Sequence, residues 1–181
     1  TDNFINAVDN VITEKYQFQS MSFAEAKLND GQRLLAFNDL FIGVDSHVSA
    51  RYNISYNHKT EEQSSSGLLV STKAGSTGWL SSVFNMAYGI TGMFEKNIQL
   101  KRPTLNENDL LFAVREPFQS IRTQTGITAG LLKKQQTLTI ESLMPTNGII
   151  FSDGVETDFL KFNSGTIATI GLANEKAKLV I

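Results

Sequence analysis

Three short segments carry polar residues where an apolar strand is interrupted or ends. The first is the pair Asn38-Asp39 within the apolar run AFNDLFIG. Adjacent residues of a strand face opposite sides, so at least one of the pair points inward and needs a polar partner. The pattern leaves two interpretations open. The pair either hydrogen-bonds ribose or amide groups of a ligand, or it marks a bulge or a strand end.

The second segment is GLLVSTKAGSTGW, residues 67–79, in which a strand is followed by small residues and then by a predicted helix. Free backbone N–H groups and the positive end of a helix would meet there. Such a point suits a phosphate, a ribose or another oxygen-rich group, and glycines let it approach the backbone. The alternative is an ordinary helix start, with Ser76 or Thr77 as the N-cap.

The third segment is FSDGVETDF, where Asp153-Gly154 separates two strands. Asp-Gly between strands favours a tight hairpin turn, with a ligand role for Asp153 as the lesser alternative. His47 and His58 form no metal-ligand spacing and the chain has no cysteine, so we predict no metal site. The G-x-x-x-x-G-K-[ST], G-x-G-x-x-G and G-x-S-x-G motifs do not occur.

The length and composition of the chain indicate which broad class of protein it belongs to. A length of 181 residues with 41% hydrophobic and 19% charged residues predicts one globular domain over residues 1–181. A net charge of −2 gives no indication of a nucleic-acid partner. No apolar run approaches the roughly 20 residues that span a bilayer, so no membrane association is expected. The lack of cysteine fits a reducing compartment, and we expect a cytoplasmic protein.

The elements that must position these residues are mostly strands. Near-helical apolar spacing predicts a short amphipathic helix in residues 1–16, and a second helix follows the GSTGW segment. Short strands bounded by Gly, Asn, Asp or Ser are predicted in YQFQSMSF, RLLAFNDLFIGV, SARYNISYN, SGLLVST, LLFAVREPF, QQTLTIESL, NGIIFS, TDFLKFN, GTIATIGL and KAKLVI. This density of strands predicts a mainly β, two-sheet, sandwich-like domain of complex topology. The polar run EEQSSSG, residues 61–67, is expected to be a mobile loop.

In this order the three segments resemble the carboxyl-terminal domain of the NAD kinase family, over nearly the full chain. That family has an Asn-Glu/Asp pair in a strand, here Asn38-Asp39. A segment of the form D-G-L-I-V-S-T-P-T-G-S-T-A-Y follows some thirty residues later, and this chain has SGLLVSTKAGSTGW there. An Asp-Gly between strands comes next, here Asp153-Gly154, before a β-rich tail.

The resemblance implies roles for these residues in binding NAD. Asn38 and Asp39 would hold hydroxyls of the nicotinamide ribose, and Trp79, where the family has Tyr, would pack against the ligand. Base and amide groups would be contacted by the loop, at Gly75, Ser76, Thr77 and Gly78. The implied fold is a two-sheet β domain, assembled as a homodimer or homotetramer with sites near subunit contacts.

The chain also departs from the family. The Gly-Gly-Asp-Gly-Thr motif, which supplies the phosphate cradle and the catalytic Asp, belongs to a separate amino-terminal domain and is absent here. Ser66 stands in place of a substrate-recognising Asp, while Lys73, in place of Pro, either adds a cation near a phosphate or is a solvated turn residue. Arg115 and Glu116, in the run FAVREPF, also differ from what the family is expected to have where the corresponding strand ends near a Pro turn.

Taken with these departures, the resemblance implies a divergent phosphotransferase. The full enzyme would use ATP with Mg²⁺ to phosphorylate the 2′-hydroxyl of NAD, and this chain, with no cofactor of its own, would be its inactive substrate-binding and oligomerisation domain. One alternative is a non-catalytic nucleotide-binding module, favoured by the residues at Ser66 and Trp79. The other is a related kinase acting on a sugar or lipid hydroxyl.

Overall fold

The computed structural model describes residues 2–94 and 101–180, and their architecture is mainly β. Helix α1 is Asp2–Ile12, a short 3₁₀ helix is Gly75–Thr77, and helix α2 is Trp79–Phe94. The strands are β1 Phe18–Leu28, β2 Arg33–Ala36, β3 Asp39–Val44, β4 Ala50–Tyr56, β5 Lys59–Ser65, β6 Leu68–Ser71, β7 Leu110–Val114, β8 Ala129–Leu132, β9 Leu138–Ser142, β10 Gly148–Ser152, β11 Val155–Lys161 and β12 Ile167–Val180. Both predicted helices are therefore confirmed.

The strands form two six-stranded antiparallel sheets, which confirms the predicted two-sheet class. The first sheet has the order β2-β1-β12-β9-β4-β5 and the second β11-β10-β3-β6-β7-β8. In the second sheet β3 lies between β10 and β6, and it is antiparallel to both. The start of β3 is consequently aligned with the ends of its two neighbours: Asp39 is opposite Ser71, and Leu40 is opposite Ser152.

The core lies between the sheets, and alternation along β3 shows how it is built. Leu40 and Ile42 are fully buried in the core cluster, whereas Phe41 belongs to a separate cluster on the opposite face. Since successive side chains of a strand point to opposite faces, the second sheet presents apolar residues on both sides. Part of this outer face is covered by α2, which packs through Leu80 and Phe84 on a cluster that includes Leu69 and Leu111.

Helix α1 is amphipathic as predicted, yet its apolar side chains are exposed, with Phe4 at 72% and Ile12 at 73%. The far end of α2 is similar, since Met93 is 80% and Phe94 81% exposed. Neither helix combines the length and the hydropathy that crossing a bilayer requires.

The prediction of a mobile loop in EEQSSSG is wrong. Most of this run belongs to β5, which pairs with β4 along its length. Gln63 and Ser65 are buried there, and the hydroxyl of Tyr52 hydrogen-bonds both side chains, at 3.2 Å and 2.7 Å. Buried polar side chains cost little when they hydrogen-bond one another, so the polarity of this edge strand did not indicate a loop.

Other strand boundaries also differ from the prediction. RLLAFNDLFIGV is divided into β2 and β3, with the break at Phe37-Asn38. The predicted strands GTIATIGL and KAKLVI fall largely within the single long strand β12, apart from Ile181, which lies outside the described residues. Strand β12 pairs with β1 across a register shift between Ser22 and Ala24. Strand β8 was not predicted, because its AGLL sequence is only four residues long and contains a glycine.

Candidate functional site

The three segments singled out in the sequence meet at one end of the second sheet. Their meeting point, which we call the polar junction, comprises residues 37–39, residues 72–78 and Asp153. It forms because the start of β3 lies beside the ends of β6 and β10. The apolar run breaks at Asn38-Asp39 because β2 ends at Ala36 and β3 starts at Asp39, and the ligand interpretation of the pair stays a prediction.

Asp153 holds the backbone of the first segment in place. Its carboxylate accepts N–H groups from Phe37 at 2.9 Å, Asn38 at 2.6 Å and Asp39 at 3.1 Å. Its own N–H donates to the carbonyl oxygen of Asp39 at 2.9 Å. Asp153 and Gly154 have φ angles of +54° and +73°, which confirms the predicted tight hairpin turn. The side chain thereby positions the backbone of the junction, and a ligand role for Asp153 stays a prediction.

The second segment is fastened to the same backbone. The Thr72 hydroxyl donates to the carbonyl of Phe37 at 2.6 Å, and the Thr72 N–H donates to that of Asn38 at 2.9 Å. A Cβ on Gly75 would lie 2.3 Å from the Asn38 carbonyl oxygen and 2.8 Å from Oδ1 of Asp39. Only glycine fits this position. Thr72 was missed as a junction residue, although a hydroxyl directly after an apolar strand was a visible signal.

The predicted N-cap at Ser76 or Thr77 is wrong. Both residues belong to the 3₁₀ turn, and the Ser76 hydroxyl donates back to the Lys73 carbonyl at 2.7 Å. Helix α2 begins at Trp79, directly after Gly78, whose N–H donates to the Gly75 carbonyl at 2.9 Å. Thr77 and Gly78 are exposed, so the loop backbone is accessible at this point.

Asp39 is the member of the junction with unused hydrogen-bonding capacity. Within residues 2–94 and 101–180, its buried Oδ1 atom has no hydrogen-bond partner. Burial raises the pKa of this carboxyl group above its usual range; the side chain of Ser71 opposes the rise by hydrogen bonding, and the nearby Asp153 carboxylate adds to it. An unsatisfied buried acceptor is costly, so a ligand hydroxyl that reached it would relieve that cost.

Lys73 does not project freely from the loop. Its Nζ donates to Oε1 of Glu107 at 2.6 Å, and the amide of Gln19 donates to the same oxygen at 3.0 Å. The side chain of Lys73 remains 43% exposed. The lysine is therefore an ion-paired surface residue that ties the loop to the segment before β7.

Beside the junction lies a second region, the aromatic pocket, on the uncovered outer face of β3, β10 and β11. Trp79 stacks on Phe41 with centroids 5.5 Å apart and 8° between the rings, and Phe151 contacts Phe41 at 5.0 Å. The pocket has a cavity of about 410 Å³. Its lining comprises Phe41, Val44, Asp45, Ser46, His47, Trp79, Ile149, Phe151, Glu156 and Phe159. Its size and its mixture of aromatic walls with a few polar groups are typical of small-molecule sites.

An adjoining cavity of about 330 Å³ places Ser66 beside Arg115 and Glu116. The Ser66 N–H donates to the Arg115 carbonyl at 2.9 Å, and the Arg115 N–H donates to the Gly67 carbonyl at 2.8 Å. The guanidinium of Arg115 lies 5.1 Å from the Trp79 ring centroid and 5.9 Å from that of Phe41. Sequence reasoning did not assign Phe41 to the site, because its position in an apolar strand looked like that of any core residue.

The described residues offer no evident metal centre. No group of three or more His, Cys, Asp or Glu side chains in residues 2–94 and 101–180 is placed to hold an ion. We therefore assign no magnesium ligand to this part of the chain.

Comparison with known proteins relates the fold to a kinase. No family model matches the chain, and no curated protein is a significant match. The crystal structure of yeast NADH kinase complexed with NADH is similar, with a TM-score of 0.69 and 14% sequence identity. The match covers 99% of this chain and 48% of that one, so the chain spans about half of its length. The likeness shows that residues 2–94 and 101–180 have an NAD-kinase-like fold.

Proposed function

We propose that this chain is the dinucleotide-binding domain of an NAD-kinase-like phosphotransferase. The observation that carries the proposal is the meeting of the three segments at the polar junction, next to an aromatic pocket. A junction with an unsatisfied carboxylate oxygen and an exposed loop backbone suits hydroxyl groups, and the pocket suits a planar ring. A dinucleotide offers both kinds of group. The likeness to a kinase that was solved with NADH supports this choice of ligand.

In this proposal each element has a stated part in binding. Asp39, with its unpaired Oδ1, accepts a hydrogen bond from a hydroxyl of the nicotinamide ribose, and Asn38 supplies a second polar contact. The exposed backbone at Thr77 and Gly78 contacts amide and base groups. Trp79 forms the aromatic wall against which a ring packs. These contacts orient the dinucleotide, which is the main requirement of phosphoryl transfer.

The phosphoryl-transfer groups are proposed to lie in a further domain of a longer protein. ATP would supply the phosphoryl group, and Mg²⁺ would neutralise the negative charge of its phosphates. The part of this chain is to hold the acceptor. The exposed apolar side chains of α1 and of the end of α2 suit contacts with that domain or with other subunits of a homodimer or homotetramer.

Binding of NAD tests the proposal directly. Trp79 is the only tryptophan in the chain, so its fluorescence reports on the aromatic pocket itself. We expect NAD to change this fluorescence saturably, with the affinity confirmed by calorimetry. Asp39→Asn should weaken binding about tenfold, because an acceptor bond to a charged group is lost. Asp9→Asn, on the exposed surface of α1, is the matched control and should bind NAD like the wild type. Binding unaffected by Asp39→Asn, or no binding, would overturn the proposal.

An activity assay tests whether the catalytic groups lie outside these 181 residues. The 181 residues alone should form no NADP from NAD and ATP, and measurable NADP formation would contradict the placement of the catalytic groups elsewhere.

The non-catalytic alternative rests on Ser66 and Trp79, which depart from the family pattern in the site itself. Binding of NAD by a parent reading frame without a Gly-Gly-Asp-Gly-Thr segment would favour it.

A further inference from the structure

Arg115 differs from the other arginines in the described part of the chain. Arg33, Arg51 and Arg122 form ion pairs with glutamates, and Arg102 donates hydrogen bonds to Ser81 and Asn85. Within residues 2–94 and 101–180 Arg115 forms no ion pair. A guanidinium has five N–H donors and stays protonated, so an unpaired one beside a cavity is available to an anionic ligand.

The position of this guanidinium is held by its surroundings. The backbone of Arg115 is hydrogen-bonded to Ser66 on one side and Gly67 on the other. The side chain lies within cation–π distance of both stacked rings, Trp79 and Phe41. A cation that is already oriented loses little conformational freedom when a ligand binds, which favours affinity.

The charges around Arg115 define what the cavity would accept. Ser66 and Ser46 line the same cavity and offer hydroxyl groups, whereas Glu116 is the acidic residue there. Asp45 and Glu156 line the adjoining aromatic pocket. None of these carboxylates forms an ion pair with Arg115, whose guanidinium lies 5.1 Å from the Trp79 ring centroid.

We propose that Arg115 is a specificity-determining residue that binds an oxyanion, a carboxylate or a phosphate monoester, carried next to the ring that packs on Trp79. The site then favours an acidic dinucleotide over NAD, whose ring carries a neutral carboxamide. Bidentate charge-assisted hydrogen bonds from Arg to an oxyanion give this preference its strength and its geometry. The inference rests on the proposed function, because it presumes that the pocket takes a dinucleotide.

Three dinucleotides serve as probes and separate the two sources of the oxyanion. They are NAD, the analogue with a carboxylate in place of its carboxamide, and NADP, which adds a phosphate monoester. Wild-type protein should bind at least one acidic probe about tenfold more tightly than NAD, as one charge-assisted contact allows. The probe that shows the preference identifies the group that Arg115 binds.

Two substitutions should remove the preference. Arg115→Gln deletes the charge, and Ser66→Asp places a carboxylate beside the guanidinium, where it competes with the ligand. Arg115→Lys keeps the charge without the planar fork and should retain part of the preference. Arg102→Gln is the matched control, since Arg102 also lies over an aromatic ring, that of Tyr88 at 5.8 Å, and should leave the preference unchanged. Circular dichroism and melting temperature confirm that each variant is folded.

The outcomes separate this inference from the proposed function. If NAD binds but neither acidic probe binds more tightly, the inference is wrong and the proposed function stands. The same holds if Arg115→Gln leaves the affinity ratios unchanged. If none of the three probes binds wild-type protein, both proposals are overturned.

Discussion

The polar junction and the aromatic pocket lie side by side on the second sheet, yet their polar groups are used in opposite ways. In the junction the side chains of Asp153 and Thr72 are bonded to the protein's own backbone. In and beside the pocket Arg115 is left without an ion pair among the described residues. The difference indicates that Asp153 and Thr72 secure the fold, whereas selection of a ligand by the pocket region is our proposal.

Asp39 and Phe41 connect the two regions. They are two residues apart on β3 and therefore face the same side of the sheet. Asp39 lies in the junction below Gly75, and Phe41 forms the pocket wall beneath Trp79. A ligand extending along this side of β3 would contact both regions. Substitutions in the junction and in the pocket therefore test separately which region secures the fold and which binds the ligand.

The largest effect is expected for Asp153→Ala. Three backbone N–H groups lose a charged acceptor, and the free energy of unfolding should fall by about 3 kcal/mol. Urea denaturation followed by circular dichroism measures the loss. A drop in NAD affinity with the free energy of unfolding unchanged would contradict the scaffold role and assign Asp153 to the ligand instead.

Gly75→Ala should follow, with a loss of about 2 kcal/mol from overpacking against the Asn38 carbonyl. The control is Gly89→Ala in α2, where a Cβ meets nothing within 4 Å. That change should stabilise the protein by about 0.5–1 kcal/mol, because alanine is the better helix former. Equal effects at the two glycines, measured by urea denaturation, would show that the junction is less tightly packed than described.

Trp79→Ala should act mainly on binding. Loss of the ring removes the stacked wall over Phe41, and NAD affinity should fall about tenfold by calorimetry. Trp79→Tyr keeps an aromatic ring and should retain most of the affinity. If the Trp79→Ala and Trp79→Tyr variants bind NAD equally well, the pocket does not hold a ring of the ligand.

Asp39→Asn should have the smallest effect on stability, and its sign depends on pH. The folded protein raises the pKa of Asp39 above the ordinary value of 3.8, so it binds the proton more tightly than the unfolded chain does. This contribution to stability is complete below pH 3.8 and is lost as the pH rises through the folded-state pKa. Asparagine cannot ionise, so the variant should gain stability relative to wild type between pH 4 and pH 7. Urea denaturation at both values checks this, and an identical pH dependence would contradict it.

Several features of the fold were predictable because they depend on neighbouring residues. Short runs bounded by Gly, Asn, Asp or Ser indicated β1, β4 and β9, and Asp153-Gly154 indicated its hairpin turn. The prediction of a loop in EEQSSSG was wrong because two of its polar side chains, Gln63 and Ser65, hydrogen-bond Tyr52 on another strand. The prediction of an N-cap at Ser76 or Thr77 was wrong because both residues belong to a 3₁₀ turn that precedes α2.

The sequence by itself determined the β class, the two helices and the three segments with site-like chemistry, since each follows from local periodicity and turn preferences. Only the tertiary structure decided what those segments do. The order of strands in the second sheet brings Asp153 to the backbone of residues 37–39, more than a hundred positions away, and brings Arg115 to Trp79. Pairing between distant strands depends on how both sheet faces are buried together, which no short stretch of sequence specifies.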